Sequence, residues 1–101
     1  MAKFLVIFHR GDMPQDRQSV AEARQALGQW EDKNSFALID AGAPIRSTVT
    51  LGRDGLVDGE VACSYLGWSV IDATDRNTAV RLLQNHPLIQ RGARLQINEP
   101  V

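Results

Sequence analysis

Chemistry usually announces itself through groups that this chain nearly lacks. Its single cysteine, Cys63, excludes a disulfide within the chain and fits a reducing compartment; the residue is either a small buried hydrophobe or a reactive thiol. Two histidines, His9 and His86, stand too far apart in sequence to match any metal-ligand spacing, even with that cysteine. Gly52, Gly55 and Gly59 open no helix, so there is no glycine-rich phosphate loop. Eleven basic against twelve acidic side chains leave a net charge of -1 with no run of either sign, which removes the electrostatic drive toward nucleic acid or an anionic membrane. Aromatic residues are 6% of the chain and do not form the pattern of an RNA-binding sheet. The apolar run Phe4 to Phe8 is too short to span a bilayer, and no small-residue cleavage site follows it. These absences predict one domain over residues 1–101, soluble and cytoplasmic, with no fixed cofactor and no bound metal.

What is present is a pattern of strands and amphipathic helices centred on Leu66 to Pro87. Leu66 to Ile71 is β-branched and aromatic, and reads as a strand. Thr74 or Asp75 caps the helix that follows, whose apolar stripe is Ala79, Leu82, Leu83 and His86. Pro87 is expected to stop that helix, leaving His86 at its C-terminal end. Ala93 to Asn98 is a further strand.

Upstream, Lys3 to His9 reads as a central strand, because five consecutive large apolar residues imply cover on both faces. A helix starts at Asp16 or at Ser19, where Ser19 and Glu22 have capping-box spacing, and it runs to Lys33 with Val20, Ala23, Leu27 and Trp30 on one face. Gly28 inside it suggests either a close approach by a backbone or ligand, or a fraying end. Phe36 to Ala41 and Ile45 to Leu51 read as strands, and Arg53-Asp54-Gly55 and Asp58-Gly59 as turns in a hairpin or glycine-rich loop. The order reduces to β-α-β-β-α-β. Two helices cover one face of such a sheet. The strands look apolar on both faces, so the uncovered one predicts a second copy related by a two-fold axis, a homodimer.

Several of these residues carry a resemblance. Gly67-Trp68-Ser69-Val70-Ile71-Asp72-Ala73, then Asp75, Ala79-Val80, His86-Pro87-Leu88 and Gly92-Ala93-Arg94-Leu95-Gln96-Ile97 resemble the signature of the YCII-related proteins, also called the DGPF-domain family. Asp54-Gly55-Leu56-Val57 looks like a degenerate form of the element that gives the family its second name. The resemblance implies a ferredoxin-like α+β fold, βαββαβ with an antiparallel sheet, dimerising into an α/β barrel. It brings no settled activity. One branch resembles a dehydrochlorinase that uses a His-Asp pair from the first half of the chain, and the helix Asp16 to Lys33 here contains no histidine. The wider superfamily also includes muconolactone isomerases and haem-degrading monooxygenases.

The candidate catalytic groups are His86, His9 and Asp40. A helix C-terminus favours imidazolium and burial disfavours it, so His86 is either a poised acid or base, or a structural helix terminator. His9 ends the first strand, and Asp40 either orients a histidine or caps a turn before Gly42. Arg10 is a candidate anion anchor. Trp30 and Trp68, with Thr48, Thr50 and Ser69, are candidate pocket walls, or packing residues of core and dimer seam. The functional expectation is a homodimer binding a small organic molecule in a cleft. Its alternatives are a cofactor-independent isomerase or lyase using His86 or His9, and a purely associative module.

Overall fold

A computed structural model describes residues 2–56 and 65–101. Four strands form one antiparallel sheet: β1 (Ala2–His9), β2 (Leu38–Pro44), β5 (Tyr65–Ala73) and β6 (Arg94–Asn98), in the order β2-β5-β1-β6. Helix α1 (Arg17–Lys33) joins β1 to β2, and α2 (Arg76–Leu83) with the single turn α3 (Pro87–Gln90) joins β5 to β6. A small hairpin of β3 (Leu51–Gly52) and β4 (Gly55–Leu56) stands apart from the main sheet. This is a ferredoxin-like α+β fold. Among the described residues no helix is long and apolar enough to cross a membrane.

The core lies where helices meet sheet. Phe4, Val6 and Phe8 of β1 alternate inward and are buried, as are Ile71 and Ala73 of β5, against Ala23, Ala79, Leu83 and Leu88 from the helices. The residues between them, Lys3, Leu5 and Ile7 on β1, face the other way, where no helix packs. The shortest dimension of the molecule is 18 Å, the depth of one sheet and one helical layer. The open face is less apolar than its sequence suggested: Leu5, Ile7, Trp68 and Val70 share it with Lys3, Asp72, Gln96 and Asn98.

Helix ends follow their caps. Asp16, not Ser19, caps α1, its carboxylate accepting the Ser19 N–H at 3.0 Å. Asp75, not Thr74, caps α2, accepting from the Thr78 N–H and hydroxyl, both at 2.8 Å. Those hydrogen bonds favour the charged form and hold both carboxyls below their ordinary value. Asp75→Ala is expected to lower the urea midpoint, because the Thr78 N–H loses its capping acceptor.

Three local expectations are corrected, and one alternative at Gly28 is removed. Phe36 opens no strand: Ser35–Ala37 is a 3-10 turn that buries Ala37 and leaves Phe36 81% exposed, and β2 starts at Leu38. Among the described residues Ile45 to Thr50 joins no sheet: β5 is already flanked by β2 and β1, and the Ile45 N–H bonds to the Leu66 carbonyl just past the end of β2. The turn at Arg53-Asp54 does form, between β3 and β4. Gly28 meets neither backbone nor side chain, since a Cβ built there would find nothing within 4 Å. Finally, Pro87 does not end a helix but begins one, at the first position of α3, where its missing N–H costs nothing. Cys63, the turn at Asp58-Gly59 and Val57 lie outside the described residues.

Candidate functional site

A cleft lies between helix α1 and the β2–β5 edge of the sheet. The cleft has a volume of about 330 Å³. Val20, Ala23, Arg24, Leu27 and Glu31, spaced at three and four along α1, form one wall; Ala41 to Pro44 of β2 and Leu66 to Trp68 of β5 form the other; Phe8, Met13 and Leu88 close the floor. Only two of these side chains are charged, Arg24 and Glu31, one helical turn to either side of Leu27. Partial burial, with the negative charge of Asp32 beside it, pushes the Glu31 carboxyl above its ordinary value.

The β2 wall owes its shape to an irregularity. Pairing with β5 slips between Leu38 and Asp40 and again between Asp40 and Ala43. Within that bulge Asp40 Oδ1 accepts the Gly42 N–H at 2.8 Å, and Gly42 takes a φ of +74°. A methyl on Gly42 would run into the Trp68 carbonyl, and one on Gly67 would lie 2.8 Å from the Ala43 carbonyl, so the two glycines let the strands approach where the cleft narrows.

His86 stands behind this cleft rather than in it. It is fully buried, with its ring 4.5 Å from that of Trp30 and 5.5 Å from that of Phe8. It caps α3: Nδ1 accepts the Leu88 N–H at 3.1 Å, and its backbone carbonyl accepts from Ile89. The expected place at a helix C-terminus is therefore corrected to a helix N-terminus, and the dipole no longer favours imidazolium. Burial pushes its pKa down to about 4. Because Nδ1 accepts, Nε2 carries the proton, and Nε2 is buried with no hydrogen-bond partner among the described residues.

The other candidates are dispersed. Trp30 packs on His86, while Trp68 borders the cleft. Ser69 is buried on the helix-covered face, opposite Val6. His9 lies on the open face, its ring 5.0 Å from Tyr65, so the two histidines do not share a cavity. Thr48 borders a depression on that same open face, and Thr50 is exposed. Arg10, beyond the end of β1, is half-buried, and its Nε has no partner among the described residues. Asp40 is exposed and builds the β2 bulge.

Arg24 and Glu31 were missed in the sequence, where they read as ordinary charges on a solvated helix face; their i, i+3, i+7 relation through Leu27 to the apolar stripe was the available signal. Among the described residues no group of three His, Cys, Asp or Glu side chains is placed to hold a metal ion. No protein-family model matches the chain, and no curated protein matches it.

Proposed function

We propose that the chain binds a small organic molecule in the cleft between α1 and the β2–β5 edge, and that it works as a homodimer of YCII-like, barrel-forming type. The observation that carries the ligand reading is the composition of the cleft: a concave, mostly apolar space of about 330 Å³ whose only charged side chains are Arg24 and Glu31. Apolar walls with a few convergent polar groups are the ordinary make-up of a small-molecule site. Arg24 suits a carboxylate or other anionic group, and Glu31, its carboxyl raised above the ordinary value by partial burial, suits a hydrogen-bond donor on the ligand at the far end. A metabolite screen by thermal shift tests this. Hits should raise the melting temperature of the wild-type chain, and Val20→Trp, which fills the cleft from α1, should remove the rise. Hits that stabilise Val20→Trp equally would place the site elsewhere.

The dimer reading is supported by apolar surface without cover. Leu5 is 40% exposed on the open sheet face, and Val49, Leu51 and Leu56 around the hairpin are 64% to 74% exposed. Two copies joined through this face would bury the same patch on each. Sedimentation at micromolar concentration should give twice the chain mass; a monomer would overturn the dimer and leave the cleft standing.

A proton-transfer enzyme is the second reading, and the Nε2–H of His86, unpartnered among the described residues, favours it, since Phe8, whose ring lies 5.5 Å from the imidazole, and Leu88, whose N–H it accepts, both line the cleft. It requires a substrate group to pass that wall. Turnover of a screened substrate that is lost in a folded His86→Gln variant would support it.

A further inference from the structure

We infer a second binding site, on the open face of the sheet, for a small organic carboxylate. Register places Tyr65, His9 and Arg94 side by side across β5, β1 and β6, and the next row on the same face sets Ile7 opposite Gln96. A depression of about 320 Å³ is bounded by His9, Gly11, Arg94, Leu95 and Gln96. Another of about 310 Å³ is bounded by Ile7, Ile45, Thr48, Tyr65 and Gln96. The two share Gln96, and the His9 ring of one lies 5.0 Å from the Tyr65 ring of the other, so they form one trough.

The two ends of that trough differ in chemistry. At one end Arg94 is exposed, and among the described residues no carboxylate stands within ion-pair distance of it. A guanidinium offers paired N–H donors in the plane that a carboxylate accepts, and the exposed Gln96 amide adds a donor beside it. At the other end Ile7 and Ile45 are half-buried and apolar; Ile45 is held there by its N–H bond to the Leu66 carbonyl at 2.9 Å. Between the ends stand the His9 and Tyr65 rings, 5.0 Å apart and inclined at 57°, an aromatic flank for the body of a ligand. An anionic head, a planar or branched body and no second charge match this sequence of surfaces. Bare inorganic anions would use Arg94 and leave the apolar end empty. The trough lies across the sheet from the α1 cleft, so it does not rest on the reading of that cleft; it shares the open face with the proposed dimer seam, so ligand and second copy exclude one another there.

Amide-resolved NMR titration of the full chain tests the assignment, with protein concentration fixed so that self-association is common to every arm. The probes are sodium benzoate, its neutral counterpart benzyl alcohol, and inorganic phosphate. Benzoate should give saturable shifts at Gly11, Arg94 and Gln96, with benzyl alcohol and phosphate each at least tenfold weaker. Arg94→Gln, an exposed edge-strand change whose folding the same spectrum reports, should weaken benzoate at least tenfold, and Gln96→Ala should weaken it by a smaller factor. Any of four results would overturn the site: no saturable benzoate shift, shifts confined to the α1 cleft, unchanged affinity in folded Arg94→Gln, or phosphate binding as tightly as benzoate.

Discussion

Acidification from pH 7 to pH 4 should destabilise this fold by up to about 3 kcal/mol through His86 alone. In the unfolded chain the imidazole titrates near 6.5; in the fold, burial among Phe8, Trp30 and Leu83 pushes it down to about 4. The unfolded state therefore takes up a proton first. The full contribution is present above pH 6.5 and is lost as pH falls toward 4, at about 1.4 kcal/mol per pH step across the window. The two capped carboxylates act in a different range. Asp16 and Asp75 are held below 3.8, so their contribution stays intact above that value and is lost only as pH falls further. Urea denaturation at half-unit pH intervals separates the two. His86→Leu should be less stable at pH 7, because the Leu88 N–H loses its acceptor, and nearly flat between pH 6.5 and 4. A wild-type curve already flat across that interval would mean that the imidazole reaches water.

Gly42→Ala is the substitution expected to do most harm for its size, about 3 kcal/mol. A φ of +74° costs an L-residue about 1 kcal/mol, and the new methyl would meet the Trp68 carbonyl, a backbone group that cannot rotate aside. Relief requires β2 to lift from β5, which is also the wall of the cleft, so ligand binding should fall with stability. Gly28→Ala is the control. It sits in α1 with open space where its methyl would go, and it should stabilise the fold by about 0.5–1 kcal/mol through helix propensity. Equal effects at the two positions, read from urea midpoints, would contradict the bulge as described.

Much of the architecture was legible because alternation and capping are local. Phe4, Val6 and Phe8 alternate with Leu5 and Ile7, and Asp16 and Asp75 stand immediately before the apolar stripes they cap. The stretch Ile45 to Thr50 was misleading for a non-local reason: it alternates like a strand, but pairing depends on a free edge, and β5 had none to offer. His86 misled in a similar way. A histidine before proline reads as a helix stop, but the chain resumes a helical turn at once, and the same residue becomes a cap.

The residues behind the resemblance share a property that periodicity does not reveal. Gly67 permits close strand approach, Asp75 caps α2, His86 caps α3, Pro87 starts it, and Gly92 adopts a φ of +106°. All five serve backbone geometry, so they speak for the fold more than for a reaction. The cleft, by contrast, is built from residues with no motif at all. Arg24 and Glu31 acquire meaning only once α1 is laid beside the β2 bulge, and that placement depends on packing across the whole core.

The most direct measurement is a crystal structure of the chain with the strongest hit from the thermal-shift screen. The ligand should lie between Leu27 and the Gly42–Pro44 strand, with a polar atom within hydrogen-bond distance of Arg24 or Glu31. A ligand seated anywhere else, with the space beside Leu27 and Gly42 filled only by water, would contradict the account.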